Sequence, residues 1–312
     1  MAAKLTGMEW LKKQILKLND TNTHLKDRLA KICPDVYNEF QKWTPLKLIL
    51  LNYTLDICMI IIDRTSIFKK KIYVDLFAGS GINKVKETND FLIGSPLIAA
   101  QLADSFDKMF FCESDKDYNN ALVQRLGLVG KKNIIIYDKD CNLVLDSIIN
   151  EASTPYTYSL FFIDPFSTEF LWDSMQKVLQ TRSDILFTFM SSNIWRMVGA
   201  ARKEAKGIQV LNRLFGNDAW TKSNSVEELL QTYINNIQNV RRGAVIRTIK
   251  IQSKVFGSFY YHLIFITNIT SGGNKWLQGI DKAKEEIEKN SDLTVEMALD
   301  IIKGRQKQLS HF

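Results

Sequence analysis

The sequence predicts an α/β protein built on a doubly wound, mostly parallel sheet, and three observations support this. Between residues 72 and 190, short β-branched and aromatic runs alternate with amphipathic helical segments. The first run, 72–77, leads into a glycine-rich turn at 78–81. After residue 240 the alternation ends in two strands that predict an antiparallel hairpin. With 312 residues, 46% of them hydrophobic, the chain can bury one such domain with additions.

The strand and helix runs set the order of the predicted elements. Ser95 followed by Pro96 predicts a helix start, because a small polar cap and a proline at the first position favour one. Residues 191–240 are predicted to be largely helical. Strands are predicted at 72–77, 108–113, 133–137, 159–164, 184–190, 244–255 and 259–268, the last two joined by a turn at Gly257-Ser258, and helices at 118–126, 143–152 and 168–179.

Both ends of the chain are predicted to be helical. Helical spacing over 8–32 is interrupted by the polar run 19–22, which predicts two helices. A third helix follows to Asp63, with Thr44 as its N-cap and Pro45 at its first position. A polar helix over 277–289 and a short one after it end the chain. We therefore expect an N-terminal helical extension, 1–66, and a domain, 67–312, with a helical insert at 191–242.

Composition limits the class of protein. The net charge of +7 and an isoelectric point near 9.0 favour a polyanionic partner such as nucleic acid, although an ordinary basic surface explains them equally. The four cysteines are scattered without a CxxC pair, which predicts no disulfide and no zinc site. With no secretory signal, we expect a cytoplasmic protein. The apolar run 46–62 carries Lys47, Asn52 and Asp56, so it predicts a buried helix and no membrane span.

The glycine-rich turn is the strongest functional signal. It lacks the Lys-Ser/Thr pair of a P-loop, and the polar stretch after it does not fit the dinucleotide fingerprint. An acid just before the glycines suits a ligand with a cationic amine, and S-adenosylmethionine (SAM) fits best. The predicted cofactor residues of this turn are Asp75, Phe77, Ala78, Gly79, Ser80 and Gly81.

Acids at the ends of the next two strands extend the predicted cofactor site. Glu113 can accept hydrogen bonds from both hydroxyls of a ribose. Alternatively, it is an acidic residue of a solvent-exposed turn without a ligand. Asp140, with Cys141 beside it, can accept a hydrogen bond from an adenine amino group. Asp140 also suits the N-cap of the following helix, and the two roles are compatible.

The fourth strand ends in Asp164-Pro165-Phe166, the predicted catalytic residues. Enzymes that methylate amines of bases use an Asp/Asn-Pro-Pro-aromatic turn, in which the acid and a proline carbonyl orient the amine and the aromatic ring holds a flipped-out base. Only one proline is present here, so a plain strand-to-helix turn remains an alternative. The three histidines of the sequence lie outside the predicted cleft, so neither a histidine nucleophile nor a metal site is expected.

Basic and aromatic residues indicate where a substrate could bind. The strand 245–255 alternates polar residues, Lys250 among them, with isoleucines. The insert contributes Trp195 and Arg196. Basic residues interleaved with aromatic rings are typical of a nucleic-acid groove for DNA or RNA, although lysines guarding a solvated edge strand explain the same pattern.

With these residues laid out, the chain resembles the three-Cys-motif partner proteins, a methyltransferase-like family, over residues 43–280. Three departures stand out: Ser80 replaces the usual proline, Ser167 replaces a frequent glycine, and a histidine near Lys47 is absent. The matching segments are 73–81, 94–99, 111–113, 162–166, Arg196, 215–216, 261–270 with 272–273, and the opening residues Thr44, Lys47 and Tyr53.

The resemblance implies a Rossmann-like class I methyltransferase fold of seven strands, SAM as cofactor, and a partner protein with a three-cysteine motif. Together with the residues it predicts a methyltransferase acting on an amine of a nucleic-acid base, with Lys47, Trp195, Arg196 and Lys250 near the substrate. Two alternatives stay open. One is a non-catalytic SAM-binding scaffold subunit, and the other is a methyltransferase for a protein or small molecule.

Overall fold

The computed structural model describes residues 7–40, 44–86, 89–252, 259–269, 274 and 277–302. In chain order, its helices and strands are α1 (Gly7–Ala30), β1 (Asn38–Phe40), α2 (Thr44–Asp63), β2 (Lys70–Asp75), β3 (Ile82–Val85), β4 (Phe91–Ile93), α3 (Ser95–Ala100), β5 (Lys108–Cys112), α4 (Lys116–Val129), β6 (Ile134–Tyr137), α5 (Cys141–Ala152), β7 (Thr157–Ile163), α6 (Trp172–Leu179), β8 (Ser183–Phe189), α7 (Ser191–Glu204), α8 (Ile208–Phe215), α9 (Val226–Val240), β9 (Val245–Gln252), β10 (Tyr260–Thr267) and α10 (Leu277–Ile302).

The central sheet has seven strands in the order β6-β5-β2-β7-β8-β10-β9. The first five are parallel, whereas β10 runs antiparallel to both β8 and β9. This is the mixed α/β, Rossmann-like sheet of class I methyltransferases, and it confirms the predicted fold class. The turn predicted at Gly257-Ser258 lies outside the described residues.

Two hydrophobic clusters cover the two faces of the sheet. Along β2, Tyr73 belongs to one cluster, while Ile72 and Val74 belong to the other. This alternation follows from the two-residue period of a strand, and both faces are apolar because helices cover both. Helices α1, α2 and α10 contribute to the first cluster, and α5 to α9 contribute to the second.

A second, three-stranded sheet was not predicted. In it, β3 pairs in parallel with β1 and antiparallel with β4, in the order β1-β3-β4. Its strands have only three or four residues each, and β1 and β3 mix polar with apolar side chains, so no period is visible in the sequence. The sheet joins the segment before α2 to the chain that follows the glycine turn.

Helix α2 begins at Thr44 and is the most apolar helix of the described chain. It is long and apolar enough to cross a membrane, but 72% of its most apolar window is buried inside the fold. Its buried residues, such as Leu50 and Leu55, belong to the same cluster as Tyr73. The helix thus occupies the place expected of a core helix.

Helical runs at both ends differ from the prediction. Helix α1 continues through residues 19–22, where a break was predicted, and helix α10 continues past the predicted end at residue 289 to Ile302. Both helices pack against each other and against α2. Tertiary packing therefore overrides the weak local preference of residues such as Asn and Asp.

Candidate active site

A cavity of about 960 Å³ opens at the carboxyl end of the parallel strands. This edge is where open α/β sheets bind ligands, and the volume lies at the upper end of the usual range for ligand pockets. Its wall combines the residues that follow β2, β5, β6 and β7 with parts of β1, β3, α2, α7 and β10.

The glycine turn forms one end of the cavity. Gly79 has φ +64°, a left-handed conformation that favours glycine, and a Cβ there would lie 2.6 Å from Asn38 Oδ1. The Ser80 amide donates to that same Asn38 oxygen at 2.7 Å, and the Ala78 amide donates to the Cys112 carbonyl at 2.9 Å. The turn is therefore fixed by hydrogen bonds from two sides.

A buried arginine supports this turn from the protein interior. Arg125 of α4 is 1% exposed, and its guanidinium donates to the Ser80 carbonyl at 2.7 Å. It also donates to four carbonyls at the end of α1 and in the segment that links α1 to β1. These carbonyls belong to Leu29, Ile32, Cys33 and Val36. Arg125 thereby ties the N-terminal segment to the glycine turn.

Asp75, predicted to contact the cofactor, is fully buried and does not line the cavity. Its Oδ1 accepts from the Phe77 amide at 3.2 Å, while its Oδ2 has no hydrogen-bond partner within the described chain. Burial raises the pKa of Asp75 to about 7, against the opposing effects of Ser95 and the Phe77 amide. Ser95 does line the cavity, whereas Ser80 and Gly81 do not.

Glu113 and Asp140 both lie on the cavity wall, together with Cys141, as the prediction of an adenosine site requires. Glu113 is half-buried, accepts from the Asp115 amide at 2.8 Å, and has its pKa raised by desolvation. Asp140 is the N-cap of α5, as predicted, and accepts from the Asn142 amide at 2.8 Å. Its role toward an adenine stays a prediction.

Asp164 and Lys47, which both line the same cavity, form an ion pair. The two side chains are 14% and 9% exposed, although 117 residues separate them in the sequence. The Lys47 ammonium also lies 5.4 Å from the centre of the Phe40 ring and 5.9 Å from that of Tyr261. Lys47, predicted near the substrate, is thus a direct neighbour of the predicted catalytic acid.

Phe166 is 65% exposed and stacks on Phe40, with ring centres 6.2 Å apart and planes inclined by 16°. Pro165 between Asp164 and Phe166 is buried. An exposed aromatic ring on a cavity wall is an available surface for a planar group.

The mouth of the cavity carries Trp195 and Arg196 of α7, as predicted for a substrate region. The guanidinium of Arg202 lies 5.5 Å from the centre of the Trp195 ring, which fixes that ring from one side. Lys250 is not on the wall. Its ammonium lies 4.2 Å from the centre of the Tyr260 ring, and Tyr260 lines the cavity.

Several wall residues were missed by the sequence reading: Asn38, Phe40, Asn83, Ser95 and Tyr261. Three of them belong to the short sheet, whose strands carry no clear period. The sequence over 36–40, Val-Tyr-Asn-Glu-Phe, does not alternate apolar with polar residues, so it carries no periodic signal for β1. Among the described residues, no three His, Cys, Asp or Glu side chains are grouped so that they could hold a metal ion.

Comparisons with known proteins support the fold. No family model and no curated protein matches the chain. Protein LPL1258 from Legionella pneumophila, described under the family name DUF519, is similar in structure with a TM-score of 0.51 at 13% identity, over 76% of this chain and 89% of that protein. At this identity the likeness shows the fold alone.

Two further structures are more distant. Trm1 from Pyrococcus horikoshii, solved with SAM, has a TM-score of 0.40 at 14% identity, over 77% of this chain and 57% of that protein. An rRNA methylase from Streptococcus thermophilus has a TM-score of 0.35 at 11% identity, over 65% of this chain and 89% of that protein. Neither carries an argument about this chain. Membership of the three-Cys-motif partner family also stays a prediction.

Proposed function

We propose that this chain is a SAM-dependent methyltransferase that modifies an amine of a nucleic-acid base. One observation carries the proposal: the glycine turn and Asp164 open into the same cavity, at the carboxyl edge of a class I methyltransferase sheet. A methyl donor at the turn and an acceptor at Asp164 would therefore share one enclosed space, which is the main requirement for direct transfer.

The residues at the glycine turn fit the cofactor. Gly79 lines the cavity, and because it has no side chain its backbone can approach a ligand closely. Glu113 presents a half-buried carboxylate to the cavity, suited to two ribose hydroxyls. Asp140 and Cys141 would border the adenine.

When bound, SAM supplies an electrophilic methyl group on a sulfonium. In this proposal the Asp164 carboxylate accepts a hydrogen bond from the acceptor amine and aims the nitrogen lone pair at that methyl. The nitrogen–carbon bond forms as the sulfur–carbon bond breaks, the surplus amine proton leaves to solvent, and S-adenosylhomocysteine (SAH) remains. Lys47, paired with Asp164, would hold that side chain in position while the amine approaches.

The surface around Asp164 favours a base as the acceptor. Phe166 offers an exposed ring beside the acid, and Trp195 and Arg196 flank the entrance. Stacking on aromatic rings and cationic contacts to phosphate are the two main forces that hold single-stranded nucleic acid. The net charge of +7 agrees with such a ligand. A partner with a three-cysteine motif and a cytoplasmic location belong to the same proposal.

The test is transfer of a labelled methyl group from SAM onto single-stranded DNA and RNA, each measured at low and at high salt. We expect transfer to one of them, weakening steeply with salt because phosphate contacts release counterions. Transfer to protein or a small molecule alone would overturn the nucleic-acid assignment. SAM binding without transfer to any acceptor would favour the scaffold subunit.

A further inference from the structure

Two asparagines on neighbouring strands face the cavity beside the glycine turn. Asn38 of β1 and Asn83 of β3 are register partners in a parallel pair, so their side chains leave the short sheet on the same face. They are 6% and 7% exposed, and both line the cavity. The sequence reading gave neither of them a role.

Both carboxamides have a free donor group. Because the Ser80 N–H can only donate, Asn38 must turn its oxygen toward Ser80 and its Nδ2 toward the other side. Neither Nδ2 donates a hydrogen bond within the described part of the chain, and Asn83 makes no side-chain hydrogen bond there at all. Because both side chains line the cavity, these amide groups are available to donate to a ligand there.

The neighbouring cations are already engaged. The Lys47 ammonium pairs with Asp164, and the Lys86 ammonium lies 3.4 Å from the Glu39 carboxylate. Next to the glycine turn, the amide donors are therefore the groups best suited to an anion. Asp75, by contrast, is buried and does not reach the cavity wall.

We infer that Asn38 and Asn83 bind the carboxylate of the amino-acid end of the cofactor. The inference rests on the proposed function and deepens it, because it assigns two donors to the methionine portion of SAM, which the sequence gave only to the glycine turn and Asp75. A carboxylate accepts from two amide groups side by side, and these are charge-assisted hydrogen bonds. The adenosine portion would then extend from the turn toward Glu113 and Asp140.

The test compares two ligands by calorimetry: SAH, which has the amino-acid end, and 5′-methylthioadenosine, which lacks it. Asn83→Ala should weaken SAH binding about tenfold or more, as expected for a lost hydrogen bond to a charged group, and leave methylthioadenosine binding unchanged. Asn83→Asp, with the same shape and a negative charge, should weaken SAH further. The control is Asn52→Ala, because Asn52 is equally buried on α2 but away from the cavity.

Each contrary result has a distinct meaning. Equal weakening of both ligands, or no change in either, overturns the assignment of Asn83 to the amino-acid end. Tighter SAH binding by Asn83→Asp would show that the cofactor's ammonium lies there, which also overturns it. Wild-type protein that binds neither ligand would refute the SAM proposal itself, and the inference with it.

Discussion

Two parts of the cavity wall are built in different ways. At the glycine turn the wall is mostly backbone, held by one hydrogen bond to Asn38 and one from the buried Arg125. Around Asp164 the wall consists of long side chains that contact one another, as in the pairs Lys47–Asp164 and Phe40–Phe166.

This difference suits a cavity that binds two ligands, a cofactor and a methyl acceptor. A backbone wall fixed by buried hydrogen bonds has little freedom, which suits a ligand bound in one pose. Paired side chains at a half-exposed wall can exchange one partner for another when an acceptor arrives. We therefore expect substitutions that disturb the glycine turn to change cofactor affinity, and substitutions of Asp164 to change methyl transfer.

The largest effect is expected for Asp164→Asn. It keeps the shape of the side chain but weakens its hold on an acceptor amine, so labelled methyl transfer should fall at least about 100-fold, as for a misplaced reacting group. SAH affinity, measured by calorimetry, should not change. Asp146→Asn removes an exposed carboxylate that pairs with Lys177 and serves as the control. A parallel loss of SAH binding would contradict the separation of cofactor binding at the glycine turn from methyl transfer at Asp164.

Next in size is the loss of Arg125. Arg125→Met leaves several buried carbonyls without a donor, which should lower the free energy of unfolding by about 3–5 kcal/mol in denaturant titrations. SAH affinity should also fall, because the Ser80 carbonyl loses its support.

Arg241→Met is the matched variant for that experiment. Arg241 is also buried, and it donates to the carbonyls of Val178, Leu179, Thr181 and Ser183, away from the cavity. It should lose similar stability but keep its SAH affinity. Equal losses of affinity in both variants would show that the glycine turn depends only on overall stability.

Asp75 gives a prediction about pH. Its pKa rises from the ordinary 3.8 to about 7 on folding, so in this window the folded protein keeps a proton that the unfolded chain releases. Stability therefore falls as pH rises from 4 toward 7. Asp75→Asn has no such proton, so its free energy of unfolding relative to wild type should grow by about 4 kcal/mol between pH 4 and pH 8. A difference that does not depend on pH would contradict a buried Asp75 carboxyl with a raised pKa.

The smallest effect is expected for two glycine-to-alanine variants, which together distinguish backbone strain from steric contact. Gly79→Ala and Gly130→Ala both place alanine at a φ near +65°, with an expected cost of about 1–2 kcal/mol each. Only the Gly79 variant brings a Cβ against Asn38, since nothing lies within 4 Å of a Cβ at Gly130. SAH affinity should fall in the Gly79 variant alone. Equal behaviour of the two would mean that the Asn38 contact has no bearing on the cofactor.

Much of the central sheet follows from the sequence, because its strands have a strong local signal. Runs such as 72–74 and 160–163 are continuously apolar, and this is the pattern of strands covered on both faces. The short sheet could not be predicted in the same way, since β1, β3 and β4 gain their stability from one another and from the fold. For the same reason a local break predicted in α1 does not occur.

Some residues of the candidate site could likewise be predicted from the sequence, and others could not. Residues that follow long strands, such as Glu113, Asp140 and Asp164, could be placed on the cavity wall from the sequence alone. Asn83 could not, because its position depends on how a four-residue strand pairs. The burial of Asp75 could not be predicted either: its place at a strand end was correct, but whether a carboxylate reaches the cavity depends on neighbours such as Ser95.

A calorimetric titration of the wild-type protein with SAH tests the central claim, that the glycine turn forms a cofactor site, most directly. We expect one molecule of SAH to bind each chain with micromolar affinity, and we expect Gly79→Ala to weaken that binding while Gly130→Ala does not. Absence of both binding heat and thermal stabilisation at millimolar SAH would contradict the account, because it would leave the cavity without the methyl donor on which the proposed transfer depends.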